Sequence, residues 1–180
     1  MDSSILVGVL QDLGVDLLRK DTRPSAPQVL RLLDAVVFNA LIGNHDAHAK
    51  NFSLLYADPG KNAAPTLAPL YDMLCTAVYD HLTPKMAMKL GSKYKFTEVQ
   101  ARHWDQFAQA AGLSKAQTKK RVLQIAQQLP AVARSIQATP PFAGRPIIDK
   151  MIDLMDQRTA LTIRRLTEGE SDTQVDDEEA

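Results

Sequence analysis

The sequence predicts a mainly α-helical chain with a small antiparallel β-sheet, an α+β architecture, and three observations carry the prediction. Three capping-box patterns, Ser25 with Gln28, Thr97 with Gln100 and Ser114 with Gln117, each precede an apolar stretch at helical spacing. A dense turn signal, Asp58-Pro59-Gly60-Lys61-Asn62, separates two short apolar runs. The 180 residues are 45% hydrophobic, enough for one compact core and short of what two would need.

Residues 1–24 hold a short amphipathic stretch from Ile5 to Leu18, in which Gly8 and Gly14 weaken a helix. The helix opened at Ser25 places Pro27 in its first turn, where a missing N–H is harmless, and Gly43 ends it. Val29, Leu30, Leu32, Leu33, Val36, Val37, Ala40 and Leu41 give it a broad apolar face, the mark of a largely buried helix. A polar loop, 44–51, leads into a strand over 52–56, and the turn at 58–62 returns the chain through Thr66-Leu67-Ala68. After Tyr71-Asp72 come a short helix and a further strand near 86–90. Helices fill the rest: one from Thr97 towards Gly112, one from Ser114 to a stop before Pro130, and a shorter one over 131–138. Pro140-Pro141 makes a break, and a last helix runs over 146–166 with Ile147, Ile148, Met151, Leu154 and Met155 as its inner stripe. Trp104 and Phe107, one turn apart, read as core, and His81 and His103 as surface or core-edge residues.

Charges balance, with 21 Lys and Arg against 21 Asp and Glu, so nothing general favours nucleic acid or membrane as partner. Lys115, Lys119, Lys120 and Arg121 make a basic helix face; it reads as solvated surface, with contact to nucleic acid or an acidic partner as the alternative. Glu168, Glu170, Asp172, Asp176, Asp177, Glu178 and Glu179 crowd the end of the chain with no Lys or Arg. Such a segment cannot offset its ordering entropy by burial, so the expected division is a folded unit over 1–167 and an acidic, disordered tail over 168–180. Cys75 is the one cysteine, which rules out an internal disulfide. Without a signal-peptide layout or an apolar run of about 18 residues, the expected location is cytoplasmic, with no membrane contact.

The chemistry concentrates in the loop Gly43-Asn44-His45-Asp46-Ala47-His48-Ala49-Lys50-Asn51. Four residues separate Asp46 from Asn51, and a second carboxylate, Asp72, follows after the hairpin. Phosphoryl transfer from ATP needs a carboxylate near the acceptor hydroxyl and oxygen ligands that hold Mg²⁺ against the phosphates. Asp-x-x-x-x-Asn followed by a later Asp meets that need, with Asp46 as base and Asn51 and Asp72 as hard oxygen ligands. By itself the spacing is weak. Asp46 could instead cap a turn and Asn51 make an Asx turn, and His45 and His48 with Asp46 could hold a transition metal, although a third ligand at a sensible spacing is lacking.

The neighbouring residues narrow the choice. Asn44-x-Asp46-x-His48-x-Lys50-Asn51-Phe52-Ser53, followed by Leu67-x-Pro69-x-Tyr71-Asp72, closely resembles the signature of the HipA-like Ser/Thr kinases, the toxin family of bacterial toxin–antitoxin modules. Phe38-Asn39-Ala40-Leu41-Ile42-Gly43 looks like the helix end that leads into this loop in the family. The resemblance implies a protein-kinase-like C-terminal lobe over 1–167. It implies Asp46 as catalytic base, Asn51 and Asp72 as Mg²⁺ ligands, and His48 and Lys50 as residues that brace the loop or contact phosphate. It also implies ATP as substrate, an antitoxin as partner, and translation factors or aminoacyl-tRNA synthetases as the phosphorylated proteins.

The family normally places an ATP-clamping lobe ahead of this segment. No Gly-x-Gly occurs in the sequence, and Lys20, in a polar linker, is the one Lys before Asp46. The expectation is therefore a lobe without its N-terminal companion: a split kinase completed by a separate N-terminal-lobe chain, a truncated one, or a remnant. Uncovering the surface between lobes is expected to expose apolar side chains and promote self-association. The rival reading is a non-catalytic module that docks an antitoxin or a substrate protein. A DNA-binding helical protein, resting on the basic face, is set back by the neutral charge.

Overall fold

The computed structural model describes residues 26–55 and 66–168. Helix α1 (Ala26–Ile42) opens this part of the chain. Its apolar residues recur at three- and four-residue steps, so Leu33, Val37, Ala40 and Leu41 face the main core while Leu32 and Ala35 face the first hairpin. Two apolar faces explain why so much of the helix is buried; Leu30, expected in that face, is exposed instead. Gly43 follows with a φ of +81°, and a Cβ added there would lie 2.8 Å from both Ala77 Cβ and Leu154 Cδ2. Helix stop and close approach both require glycine.

The Ser25 cap lies outside the described residues. Gln28 has another partner: its Oε1 accepts the Leu67 N–H at 2.8 Å and ties α1 to the hairpin. That hairpin pairs β1 (Leu54–Leu55) with β2 (Thr66–Leu67), antiparallel, with Leu54 opposite Leu67. The strand is shorter than the expected 52–56, and the turn signal at 58–62 lies outside the described residues. Phe52 and Leu67 pack on Leu32 and Ala35. A single 3-10 turn at Thr76–Val78 is the short helix expected after Asp72.

A second antiparallel hairpin joins β3 (Lys85–Leu90) to β4 (Lys93–Lys95) through Gly91, so the described residues form two small sheets where one was expected. The strand β4, Lys-Tyr-Lys, has no apolar alternation to announce it. Helix α2 (Ala101–Ala111) starts later than the Thr97 capping pattern implied. Phe96–Glu98 is a 3-10 turn, and the helix is capped at Gln100, whose backbone N–H donates to His103 Nδ1 at 2.7 Å. Trp104 and Phe107 are core, as expected; His103, expected at the surface or core edge, is 1% exposed.

Helix α3 (Lys115–Gln137) is capped by Ser114, whose Oγ accepts the Gln117 N–H. It does not stop before Pro130 but runs through it as one helix of 23 residues. An interior proline costs about 3 kcal/mol in isolation. Here the helix packs along α4 (Pro146–Glu168), with Val122, Ala126 and Leu129 in the core, and that burial outweighs the lost hydrogen bond. The Arg134–Asp156 ion pair joins the two helices on the outside. In α4 the buried positions are Ile152, Thr159, Thr162 and Leu166, whereas Ile147, expected inside, is exposed. Arg121 leaves the supposed solvated face to pair bidentately with Asp34 of α1, at 2.6 and 2.7 Å. Glu168 is still helical, one residue into the expected tail, and 169–180 lie outside the described residues. Among the described residues no helix is long and apolar enough to cross a membrane. The chain is thus mainly helical with small antiparallel sheets, as the sequence predicted.

Candidate active site

The loop between α1 and β1 and the segment after β2 meet on one side of the core. Asn44 directs the meeting. It is buried, and its Nδ2 donates to Asn39 Oδ1 at 2.8 Å and to the Asp72 carbonyl at 2.9 Å, while its Oδ1 accepts the Asp46 N–H at 3.1 Å. A buried amide that fills both donor and acceptor capacity fixes the surrounding backbone, because any displacement leaves a polar group unpaired. Asp72 sits at φ +57°, the one non-glycine residue with positive φ among those described. Aspartate tolerates that region better than most residues, yet it is a strained placement of the sort functional sites retain.

Asn51 closes the arrangement. Its Nδ2 donates to Asp72 Oδ2 at 2.9 Å and to the Asp46 carbonyl at 3.1 Å. Both partners are acceptors, so the amide nitrogen must face them, and Asn51 Oδ1 remains as a donor atom for a cation. A 3-10 turn at Ala49–Asn51 carries the amide inward. The Asp46 carboxylate is half-exposed, and its Oδ1 lies 3.0 Å from His48 Nε2. Lys50 is exposed; its carbonyl accepts the Tyr71 hydroxyl at 2.8 Å, which also lies 3.1 Å from Ser53 Oγ. Asp46, His48, Asn51 and Asp72 are therefore linked by direct contacts, while the Lys50 carbonyl meets Tyr71, the neighbour of Asp72 in the chain.

The donor set suits a hard cation. Asn51 Oδ1 and the Asp72 carboxylate offer two side-chain oxygens, and Mg²⁺ characteristically takes one or two from protein and the rest from phosphate and water. The alternative of a transition metal on His45 and His48 is not supported. His45 Nε2 lies 2.7 Å from Arg158 Nη2, and its Nδ1 lies 3.1 Å from the Thr83 carbonyl, so both ring nitrogens are engaged. Among the described residues no group of three or more His, Cys, Asp or Glu could hold a metal ion.

Three contributors escaped the sequence reading as site residues: Asn39, Asn44 and Arg158. Each left a signal. Asn39 is a polar residue inside a buried apolar helix, where it needs a partner. Arg158 falls one helical turn after Leu154, on the stripe that faces the core. Its guanidinium is largely buried, donates to the Ala40 carbonyl at 2.8 Å and stacks over Phe96 at 4.5 Å from the ring centre. Burial lowers its pKa to about 10. Burial and the Arg158 charge together hold the His45 pKa below its ordinary value.

Around this geometry Leu55, Leu70, Tyr71 and Leu74 remain exposed. They sit on the segments that border the carboxylates.

Known proteins share parts of this sequence and of this fold. A family model described as the HipA-like C-terminal domain matches residues 10–133. A protein of Sinorhizobium fredii bearing the name "Putative kinase Y4mE" is 43% identical over 69% of this chain. The serine/threonine-protein kinase toxin HipA of Shewanella oneidensis is 30% identical over 62% of it. A chain of the solved complex of HipA, HipB and operator DNA from a Shewanella oneidensis toxin–antitoxin system matches the fold with a TM-score of 0.67, at 23% identity over 76% of this chain. The chain spans 29% and 25% of the two relatives' lengths and 32% of the solved chain.

Proposed function

The chain belongs to the HipA-like C-terminal domain family, and from that premise we propose that it carries the catalytic loop and metal ligands of a Ser/Thr protein kinase. The observation that supports this most is the Asn51 amide, which binds the backbone of Asp46 and the carboxylate of Asp72 at once. In this reading Asp46 receives the hydroxyl of a protein Ser or Thr and takes its proton as the oxygen attacks the γ-phosphate, while the bond from that phosphorus to the bridging oxygen breaks and ADP leaves with the electron pair. His48 holds one carboxylate oxygen of Asp46, at 3.0 Å, and leaves the other for the substrate. Asn51 Oδ1 and Asp72 would hold Mg²⁺, which supplies charge neutralisation across the ATP phosphates. Lys50, exposed and next to Asn51 in the chain, would meet phosphate oxygens. The glycine loop and strand lysine that complete a kinase site would come from outside this segment. An antitoxin, a translation factor or an aminoacyl-tRNA synthetase as partner, and a cytoplasmic setting, belong to the same proposal.

Calorimetric titration of the chain with Mg·ATP, alone and together with proteins encoded beside its gene, tests this. Binding in one setting, lost in Asp72→Ala, is the expected result; binding in neither, or equal binding by Asp72→Ala, overturns it. A second reading, a docking module without catalysis, draws support from the exposed Leu70, Tyr71 and Leu74 beside the site. Growth inhibition on expression separates the two: it disappears in Asp46→Ala if chemistry is responsible and persists if docking is.

A further inference from the structure

Arg158 is a largely buried cation with no carboxylate partner among the described residues, an expensive thing for a fold to keep. Its hydrogen bonds say what it does there. One branch of the guanidinium donates to the Ala40 carbonyl in the last turn of α1, where helical carbonyls lack partners and a positive charge is favoured. The other branch reaches His45 Nε2, one residue before Asp46. Arginine can only donate, so Nε2 must accept and is unprotonated; the proton then sits on Nδ1 and is donated to the Thr83 carbonyl. The His45 backbone is held as well: its N–H donates to Thr76 Oγ1 at 2.8 Å, and its carbonyl accepts the Ala87 N–H at 2.7 Å. His45 is thus the point where α1, α4, β3 and the turn after Asp72 are tied together.

We infer that Arg158 is a positioning residue: its fork joins the end of α1 to a neutral His45 and so sets the direction in which the loop delivers Asp46 and Asn51. The inference deepens the kinase reading and rests on it for the role of Asp46, but the tie itself is independent of that chemistry. The charged group facing the His45 ring is Arg158 of α4; Thr76 and Thr83 present neutral groups, β3 presents backbone, and the Cys75 thiol, raised by burial, lies near the guanidinium. A proton added to His45 would set donor against donor and release the fork.

The test is nuclear magnetic resonance on the full chain, with Mn²⁺ as a separate probe of the metal ligands. In the wild type the His45 ring should show the Nδ1–H tautomer, and the Asp46 and Ala87 amide shifts should move in step with its titration. In Arg158→Ala those amides should exchange about ten-fold faster or more, while amides of α2 and α3 keep their protection. Arg158→Lys, which keeps the charge and loses the fork, should not restore them. Unchanged exchange at Asp46 and Ala87 in a folded Arg158→Ala overturns the inference. If that variant fails to fold, the wild-type titration decides: loop amides indifferent to His45 protonation, or an Nε2–H tautomer, overturn it equally. Absence of Mn²⁺ broadening at Asp72 and Asn51 in the wild type would count against the kinase reading, while the exchange data still judge the tie.

Discussion

The helical half of the molecule and the loop side are stabilised by different physics. Around α2, α3 and α4 the structure is apolar burial: Trp104, Phe107, Val122, Ala126 and Leu166 share one core with Leu33 and Val37 of α1. Around residues 44–51 and 72 it is side-chain amides, with Asn44 and Asn51 placing Asp46 and Asp72 by four hydrogen bonds and Asn39 anchoring Asn44 by a fifth. Apolar packing is non-directional and tolerates adjustment, whereas an amide network fixes angle and distance. A site that must hold two carboxylates in a set relation is better served by the second, provided the first supplies the stability.

Breaking the helical side should therefore produce the largest loss of stability. Phe107→Ala, at a fully buried position, is expected to cost about 3–5 kcal/mol in urea denaturation. Asn44→Ala comes next, at about 2 kcal/mol, because it leaves Asn39 and the Asp46 N–H without partners. Unlike Phe107→Ala it should also weaken Mg·ATP binding, since the Asp72 backbone loses its anchor. An equal loss of stability with unchanged binding would contradict the division.

Acidification should give a smaller effect that touches both halves. His45 and His103 have pKa values lowered chiefly by burial, so the fold favours their neutral forms. The unfolded chain binds protons at higher pH than the folded one, and stability falls as pH drops below the ordinary histidine value towards the folded ones. Urea midpoints across that range should decline; His103→Gln removes the share of the α2 cap, and His45→Gln the share of the loop. Asp72→Gly should change stability least, because relief of its positive φ, up to about 1 kcal/mol, offsets the lost hydrogen bond from Asn51, while Mg·ATP binding disappears. Loss of stability there would mean that Asp72 contributes to the fold and not to the site alone.

Much of this was legible in the residues themselves. The α1 face, the first hairpin, the Ser114 cap and the last helix follow from periodicity and turn chemistry. What failed did so for particular reasons. Pro130 reads locally as a helix stop, and only the length of packing against α4 keeps the helix going. The hairpin strand Lys93–Lys95 carries its information in pairing, not in apolar pattern. Asp46, Asn51 and Asp72 could be singled out because the residues around them resemble the HipA-like signature, their spacing alone being weak, and the structure brings them together. Arg158, more than a hundred residues away along the chain, could not be placed beside His45 until the fold existed.

The hydrogen bond from the Leu67 N–H to Gln28 has a consequence for how the chain can vary. Since Phe52 and Leu67 are each seated on α1, both ends of the excursion between Leu55 and Thr66 are anchored independently of what joins them. Extra residues inserted there add only a slowly growing closure entropy. A variant of this chain with a longer or shorter connection at this point should thus keep the same carboxylate geometry downstream.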